Sequence, residues 1–239
     1  MRQHDPSIGE APVAWRRVAA GSGLAFGGLM FAAGFLFELP RPDLSASSEA
    51  IQRWAQANQT AILTNRYLQL LAGLCFVVFA GGLCDAIRRA RRGADLLGLV
   101  ALGAAVATGL AGSIKIGADL AFLRLALDGG APEILRALKL LATTGQDILG
   151  FWQGLFWLAA SLAILRTGVA PRWTAILGLA GTAALALSTA TVIDPESPLG
   201  IAGFLVFFLF TTWMVATPVS LLLRSHTRRA AGEVRVATA

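Results

Sequence analysis

Six segments of the chain are apolar and long enough to cross the hydrocarbon core of a bilayer, which is about 30 Å thick. They lie at about residues 18–37, 67–87, 96–116, 144–165, 173–193 and 199–223. Of the 239 residues, 14% are charged, whereas soluble domains carry about 25%. The mean hydropathy is +0.66. The sequence therefore predicts an all-α membrane protein, a six-transmembrane-helix bundle in a single domain spanning residues 18–223.

The positive charges predict how these helices are oriented. Of the 20 Lys and Arg residues, 13 lie in the tails 1–17 and 224–239 and in the second and fourth connections. Because Lys and Arg are retained in cytoplasmic loops, both tails are predicted to be cytoplasmic. The 18 arginines against 2 lysines fit a GC-rich bacterial genome, so the predicted location is the bacterial inner (plasma) membrane. The first segment ends in "FLFELP" without a small-residue cleavage site, which indicates a retained helix rather than a signal peptide.

The net charge of +6 raises the question of nucleic-acid binding. The arginines stand in short clusters between apolar segments, which is the distribution that a membrane topology requires. The lipid bilayer is therefore the expected partner, together with another membrane protein or further copies of the chain, and no nucleic acid is expected.

The first outer connection, residues 38–66, is long and contains its own helical pattern. Ser45 or Ser47 is a candidate N-cap, and Ile51 and Trp54 share one face with Ala55 or Asn58. These positions predict a helix lying on the membrane surface. On the same side, the third helix is expected to continue to Leu127, and the fourth to begin near Pro132.

Lys115 and Asp119 are the first candidate site residues. Lys115 stands 20 residues after Asp95, which is about 30 Å along a helix and places it at the outer edge of the core. A lysine at that depth can extend to the headgroups without a partner, and Asp119 lies one turn further out. A structural role at the rim and a role in a binding site both remain open.

The fourth helix carries Asp147 at the same predicted level and Gln153 within the core. Gln146, Gly150, Gln153 and Trp157 form one helical stripe. A polar stripe with a small residue faces other helices rather than lipid. It indicates either hydrogen bonds between packed helices or the lining of an outward-open cavity.

Enzymatic motifs and metal-binding patterns are missing from the apolar segments. Both histidines, His4 and His226, lie in the tails, and the chain has no GxSxG motif, P-loop or acidic pair at the centre of a helix. The sequence therefore predicts no catalytic residue, metal or cofactor. An enzyme acting on lipids would have only the rim carboxylates to use.

Two stretches carry a resemblance to a known family. "SASSEAIQRWAQANQTAILTNRYLQLLAGL" leads into the second helix, and "LAILRTGVAPRWTAILGLAG" joins the fourth and fifth. Over nearly its whole length the chain resembles a widespread family of six-helix bacterial membrane proteins classed as a domain of unknown function. That resemblance implies a six-helix bundle, and it implies no catalytic residue or substrate.

Two functional hypotheses follow. The first is a non-catalytic membrane scaffold or accessory subunit, which the Gly-rich helices and the absence of enzyme motifs favour. The alternative is a small carrier or a protein that binds lipids or hydrophobic molecules. Its polar pocket would open outward between helices three and four, and Lys115, Asp119, Asp147 and Gln153 would contact the ligand.

Overall fold

The computed structural model describes residues 13–37, 46–90, 95–189 and 202–237. Within these residues the chain forms six α-helices and no β-strand. The helices are α1 (Val13–Leu36), α2 (Ser48–Ala90), α3 (Asp95–Leu127), α4 (Pro132–Thr167), α5 (Arg172–Ser188) and α6 (Ala202–Ala237). Five of them are long and apolar enough to cross a membrane. The predicted fold class, an all-α membrane bundle, is confirmed, and the chain is a multi-pass membrane protein.

The helices form a closed ring in which each packs antiparallel to its neighbour. Every helix contacts the next one along the chain, and α6 returns to contact α1. Small residues set the closest approaches: a Cβ on Gly82 of α2 would collide with Ala19 of α1, and one on Gly23 would lie 2.5 Å from Pro218 of α6. At these two positions a glycine allows the helices to pack closely.

Aromatic rings fill the interior of the ring of helices. Phe76 of α2 lies 5.3 Å from Phe26 of α1 and 4.8 Å from Phe156 of α4, measured between ring centroids. Trp213 of α6 lies 5.6 Å from Phe156, edge to face. Rings at these separations are in direct contact and form an apolar core between the helices. This central aromatic cluster consists of Phe26, Phe76, Phe79, Phe156, Trp157, Phe210 and Trp213.

Three helices continue well beyond the level at which α1 ends. With 43 residues, α2 is about 65 Å long, twice the thickness of a hydrocarbon core. Its first half packs with the end of α3 and the start of α4 around a second, smaller core. We call this part, residues 48–64, 116–127 and 132–144, the distal extension. Its buried side chains are Ile51, Ala55, Phe122, Leu123, Ala126 and Leu135.

The prediction of a helix lying on the membrane surface in loop 38–66 is wrong. Residues 48–66 belong to α2 itself, and the apolar face that contains Ile51 and Ala55 is buried against α3 and α4. Trp54 packs on the same core, and Asn58 is half-buried and donates a hydrogen bond to the carbonyl of Trp54. Between residues 48 and 72 there is no glycine or proline to interrupt the helix, so the outer helix and the second span form one rod.

The ends of the extension match the sequence prediction closely. Ser47 is the N-cap of α2, since its side chain accepts a hydrogen bond from the backbone N–H of Ala50. Helix α3 ends at Leu127 and α4 begins at Pro132, as predicted. The turn between them contains Gly129 at φ 71°, and Gln52 of α2 donates a hydrogen bond to the Leu127 carbonyl at 3.0 Å.

Elsewhere the helix limits differ from the predicted spans. Helix α1 begins at Val13, within the predicted N-terminal tail, and α6 continues past residue 223 to Ala237. The predicted end of the fifth helix at 193, the start of the sixth at 199 and the turn "DPESPLG" between them lie outside the described residues.

Candidate functional site

A buried ion pair joins α2 to α3 at the base of the distal extension. Nε of Arg66 lies 3.1 Å from Oδ2 of Asp119, and the two side chains are 5% and 2% exposed. These two atoms lack the alignment of a hydrogen bond, so the attraction through them is coulombic. Nζ of Lys115, one turn earlier on α3, lies 3.8 Å from the same oxygen. The site is thus one carboxylate held between two cations.

Asn65 extends this network to α1. Its Nδ2 donates a hydrogen bond to the carbonyl of Ala33 at 2.9 Å. Because α1 ends at Leu36, that carbonyl is among the last four, which have no donor within the helix. The Oδ1 of Asn65 accepts hydrogen bonds from Nη1 of Arg66 at 3.0 Å and from Nε2 of Gln69 at 2.6 Å. The Asn65 side chain therefore caps the C-terminal end of α1 and orients Arg66.

Helix α4 contacts the charged cluster at Gly145, next to Lys115 of α3. A Cβ on Gly145 would lie only 3.2 Å from the Cβ of Lys115. The backbones of α3 and α4 are therefore in close contact at this level. The Lys115 side chain is left to extend along its own helix toward Asp119, and it stays 16% exposed.

The site lies between the two hydrophobic cores. Arg66 precedes Ile87 by 21 residues and Lys115 follows Asp95 by 20, so both lie about 30 Å from the opposite end of their spans. The aromatic cluster lies on one side of this level and the core of the extension on the other. An unpaired charge buried there would be costly, whereas a paired one stabilises the contact between the helices that carry it.

The structure brings together two of the four predicted site residues. Lys115 and Asp119 form the cluster with Arg66. Asp147 is only two positions beyond Gly145, which places it about 200° round α4 from the surface that contacts Lys115. Instead of facing one another across a cavity, Lys115 and Asp147 are separated by the close contact of α3 and α4.

Gln153 also lies away from the cluster. Its neighbours in the predicted stripe, Gly150 and Trp157, pack against α5: Gly150 approaches Leu185 and Trp157 covers Gly181. The prediction that this stripe faces other helices is confirmed for these two residues, whereas Gln146, at its distal end, is exposed. Of the residues predicted to line a polar pocket between helices three and four, Lys115 and Asp119 belong to a polar cluster between helices two and three.

Sequence reasoning missed Arg66 and Asn65. Both fall at the end of the predicted outer connection 38–66, whereas in the structure they lie within α2. Counting from the opposite end of each span would have placed Arg66 and Lys115 at the same depth on consecutive antiparallel helices. Equal depth on helices that pack together predicts a partner for the carboxylate at position 119.

The arrangement provides electrostatic attraction between α2 and α3. The single carboxylate is already held by two cations. Among the described residues, no group of three or more His, Cys, Asp or Glu side chains is placed to hold a metal ion.

Comparison of the chain with protein-family models, curated proteins and solved structures finds no match. The resemblance to a family of six-helix bacterial membrane proteins therefore stays a prediction.

Proposed function

We propose that the protein is a non-catalytic membrane scaffold or accessory subunit. One observation carries the proposal: the polar side chains at the base of the extension form ion pairs and hydrogen bonds with one another and with the backbone, and these link α1, α2 and α3. Arg66 is held by Asp119, and Asn65 binds the end of α1. Together with the aromatic core, this produces a stiff bundle that holds the distal extension at a fixed position beyond the membrane.

The exposed surface of α4 in the extension favours the presence of a protein partner. Ile134 and Leu141 are seven residues apart on one face of α4 and are 51% and 48% exposed; Leu140, 57% exposed, lies at the edge of that face, four residues from the charged Arg136. The outer face of α2 in the same region is polar, with Arg53 among its exposed residues. An apolar face rimmed by charge beside the membrane is typical of a protein–protein contact. The partner is another membrane protein or a second copy of this chain.

A native mass spectrum of the protein purified in mild detergent tests the proposal. The expected result is a stoichiometric protein partner or a defined oligomer. The double substitution Ile134→Ser with Leu141→Ser is expected to abolish it, while Gln59→Ser on the polar face of α2 leaves it intact. A monomer without a protein partner, from membranes in which the chain is natively expressed, would contradict the scaffold proposal.

The carrier remains the second candidate because of one observation. Lys115 keeps a partly exposed side chain while its partner Asp119 is buried, so the cluster has a cationic opening toward the membrane boundary. A small molecule bound in the same native spectrum, and lost from Lys115→Ala but not from Asp147→Asn, would favour the carrier over the scaffold.

We also propose that the membrane is the bacterial inner membrane and that both tails are cytoplasmic. The support is the 13 Lys and Arg residues on the side of the termini. Green fluorescent protein fused after Ala239 should fluoresce, and alkaline phosphatase fused there should be inactive. The reverse pair of results would invert the topology and place the distal extension in the cytoplasm.

A further inference from the structure

One outward-facing row of side chains runs along almost the whole of α4. Its members follow one another at alternating spacings of three and four residues, so they share one face of the helix. All are exposed except Leu162, which is half-buried, and all are apolar except Thr144. We call this row the heptad ridge. It consists of Ile134, Ala137, Leu141, Thr144, Ile148, Phe151, Leu155, Leu158, Leu162 and Leu165.

Lipid can cover only part of the heptad ridge. Gly145 of α4 packs against Lys115, which lies about 30 Å from the opposite end of its span and so at the edge of the hydrocarbon core. Ile134 is 11 residues further along the extension, or about 16 Å, whereas the headgroup layer adds only about 5–8 Å on each side. Ile134, which is 51% exposed, therefore lies past the headgroups. A row of apolar side chains that continues from lipid into water is typical of a protein contact.

The charged side chains of α4 all lie off the heptad ridge. Two copies of the helix can therefore meet along the ridge without bringing like charges face to face, which would weaken their association. These charged residues are Glu133, Arg136, Lys139, Asp147 and Arg166.

The length of the heptad ridge restricts what can cover it. Leu165 follows Ile134 by 31 residues, which is about 47 Å along a helix and exceeds the core thickness of about 30 Å. A partner that covers the whole ridge needs a helix that spans the membrane and continues equally far beyond it. Helix α4 of a second copy is such a helix. Since both copies insert in the same direction, their α4 helices run parallel, and each ridge residue lies at the depth of its own counterpart.

We propose that the chain forms a symmetric dimer in which two α4 helices pack in parallel along the heptad ridge. Spacings of three and four that repeat every seven residues are those of a left-handed helix pair, in water and in membranes alike. The inference rests on the proposed scaffold function and identifies the partner at the surface of α4 as a second copy of this chain. The dimer removes Ile134 and Leu141 from water and holds the two distal extensions side by side.

Disulfide cross-linking in native membranes tests the dimer with two adjacent residues. Thr144 belongs to the ridge and Thr143 does not, although both are exposed. In a chain with Cys75→Ala and Cys84→Ala, Thr144→Cys should bring counterpart Cα atoms within the roughly 4.4–6.8 Å that a disulfide requires. Position 143 points about 100° away.

Upon oxidation, Thr144→Cys should form a linked dimer of twice the 25.0 kDa chain mass. It should do so about ten times faster than Thr143→Cys in the same background, because only the ridge position meets its counterpart. Equal rates in the two variants would indicate random collision and would overturn the proposal. So would the absence of a linked dimer from Thr144→Cys.

The native mass spectrum separates failure of the dimer from failure of the scaffold proposal. If Thr144→Cys forms no dimer while the spectrum retains a different protein that Ile134→Ser with Leu141→Ser removes, the scaffold proposal stands and the second copy is excluded. No linked dimer together with a monomeric spectrum would overturn both. A linked dimer that Ile134→Ser with Leu141→Ser prevents from forming would support both.

Discussion

Arg66 and Asp119 lie on different helices, and their side chains meet at 3.1 Å while remaining 5% and 2% exposed. Replacing a buried ion pair by apolar side chains is often neutral for stability, whereas removing one partner is strongly destabilising. The pair therefore specifies how α2 and α3 align more than it adds to the total free energy of folding. It does so at the point where the membrane core ends and the distal extension begins.

Asp119→Asn should destabilise the protein because it leaves the buried Arg66 without its counter-charge. The expected cost is about 3–5 kcal/mol, which corresponds to a fall of roughly 2–4 °C per kcal/mol in a thermal melt. Asp147→Asn is the matched control. Asp147 is half-buried on another face of α4, so the melting temperature of the Asp147→Asn variant should stay within about 1 °C of that of the wild type. Equal losses in the two variants would mean that the Arg66 pair has no special role.

The neighbouring glycines 81 and 82 of α2 should respond in opposite ways to alanine. A methyl group at Gly82 would collide with Ala19 of α1, whereas at Gly81 it would meet no atom within 4 Å. Gly82→Ala should cost about 1–3 kcal/mol through overpacking, and Gly81→Ala should be neutral or slightly stabilising. Thermal melts of the two variants in the same detergent provide the comparison. If both were neutral, α1 and α2 would be further apart than described.

Leu135→Ala should loosen the distal extension while leaving the membrane core intact. Leu135 is 1% exposed and belongs to the second core, where losing such a side chain costs about 2–5 kcal/mol. Hydrogen exchange should quicken in residues 48–64 and 116–144 and stay slow in residues 70–87. Ile134→Ala removes an adjacent, exposed side chain and should change neither region. Faster exchange throughout the chain would indicate that the two cores unfold as one unit.

Much of the fold follows from the sequence because length and hydropathy are sufficient to define membrane spans. The turn from Leu127 to Pro132 was predicted correctly, since glycine and proline dictate local backbone geometry there. The length of α2 was missed for a different reason. A polar segment between two apolar ones resembles a loop, and only the absence of glycine and proline between residues 48 and 72 indicates one continuous helix.

The candidate site was predicted in part. Lys115 and Asp119 are four residues apart, so their proximity follows from helix geometry alone. Their partner Arg66 is 53 positions away from Asp119, and only the packing of α2 against α3 brings it close. Asp147 was predicted at the same depth as Lys115 but does not belong to the cluster. Equal depth in the membrane does not determine the direction in which a side chain points from its helix.

The most direct test of the central claim, that the buried charges serve to join α2 to α3, is a double-mutant cycle on Arg66 and Asp119. Melting temperatures would be measured for Arg66→Met, Asp119→Leu and the double variant in one detergent. Each single substitution should lower the melting temperature markedly, and the double variant should recover most of the loss because both deeply buried charges are removed together, whereas the Lys115 side chain is partly exposed. Losses that simply add in the double variant would contradict the claim, since they would show that the two residues act independently.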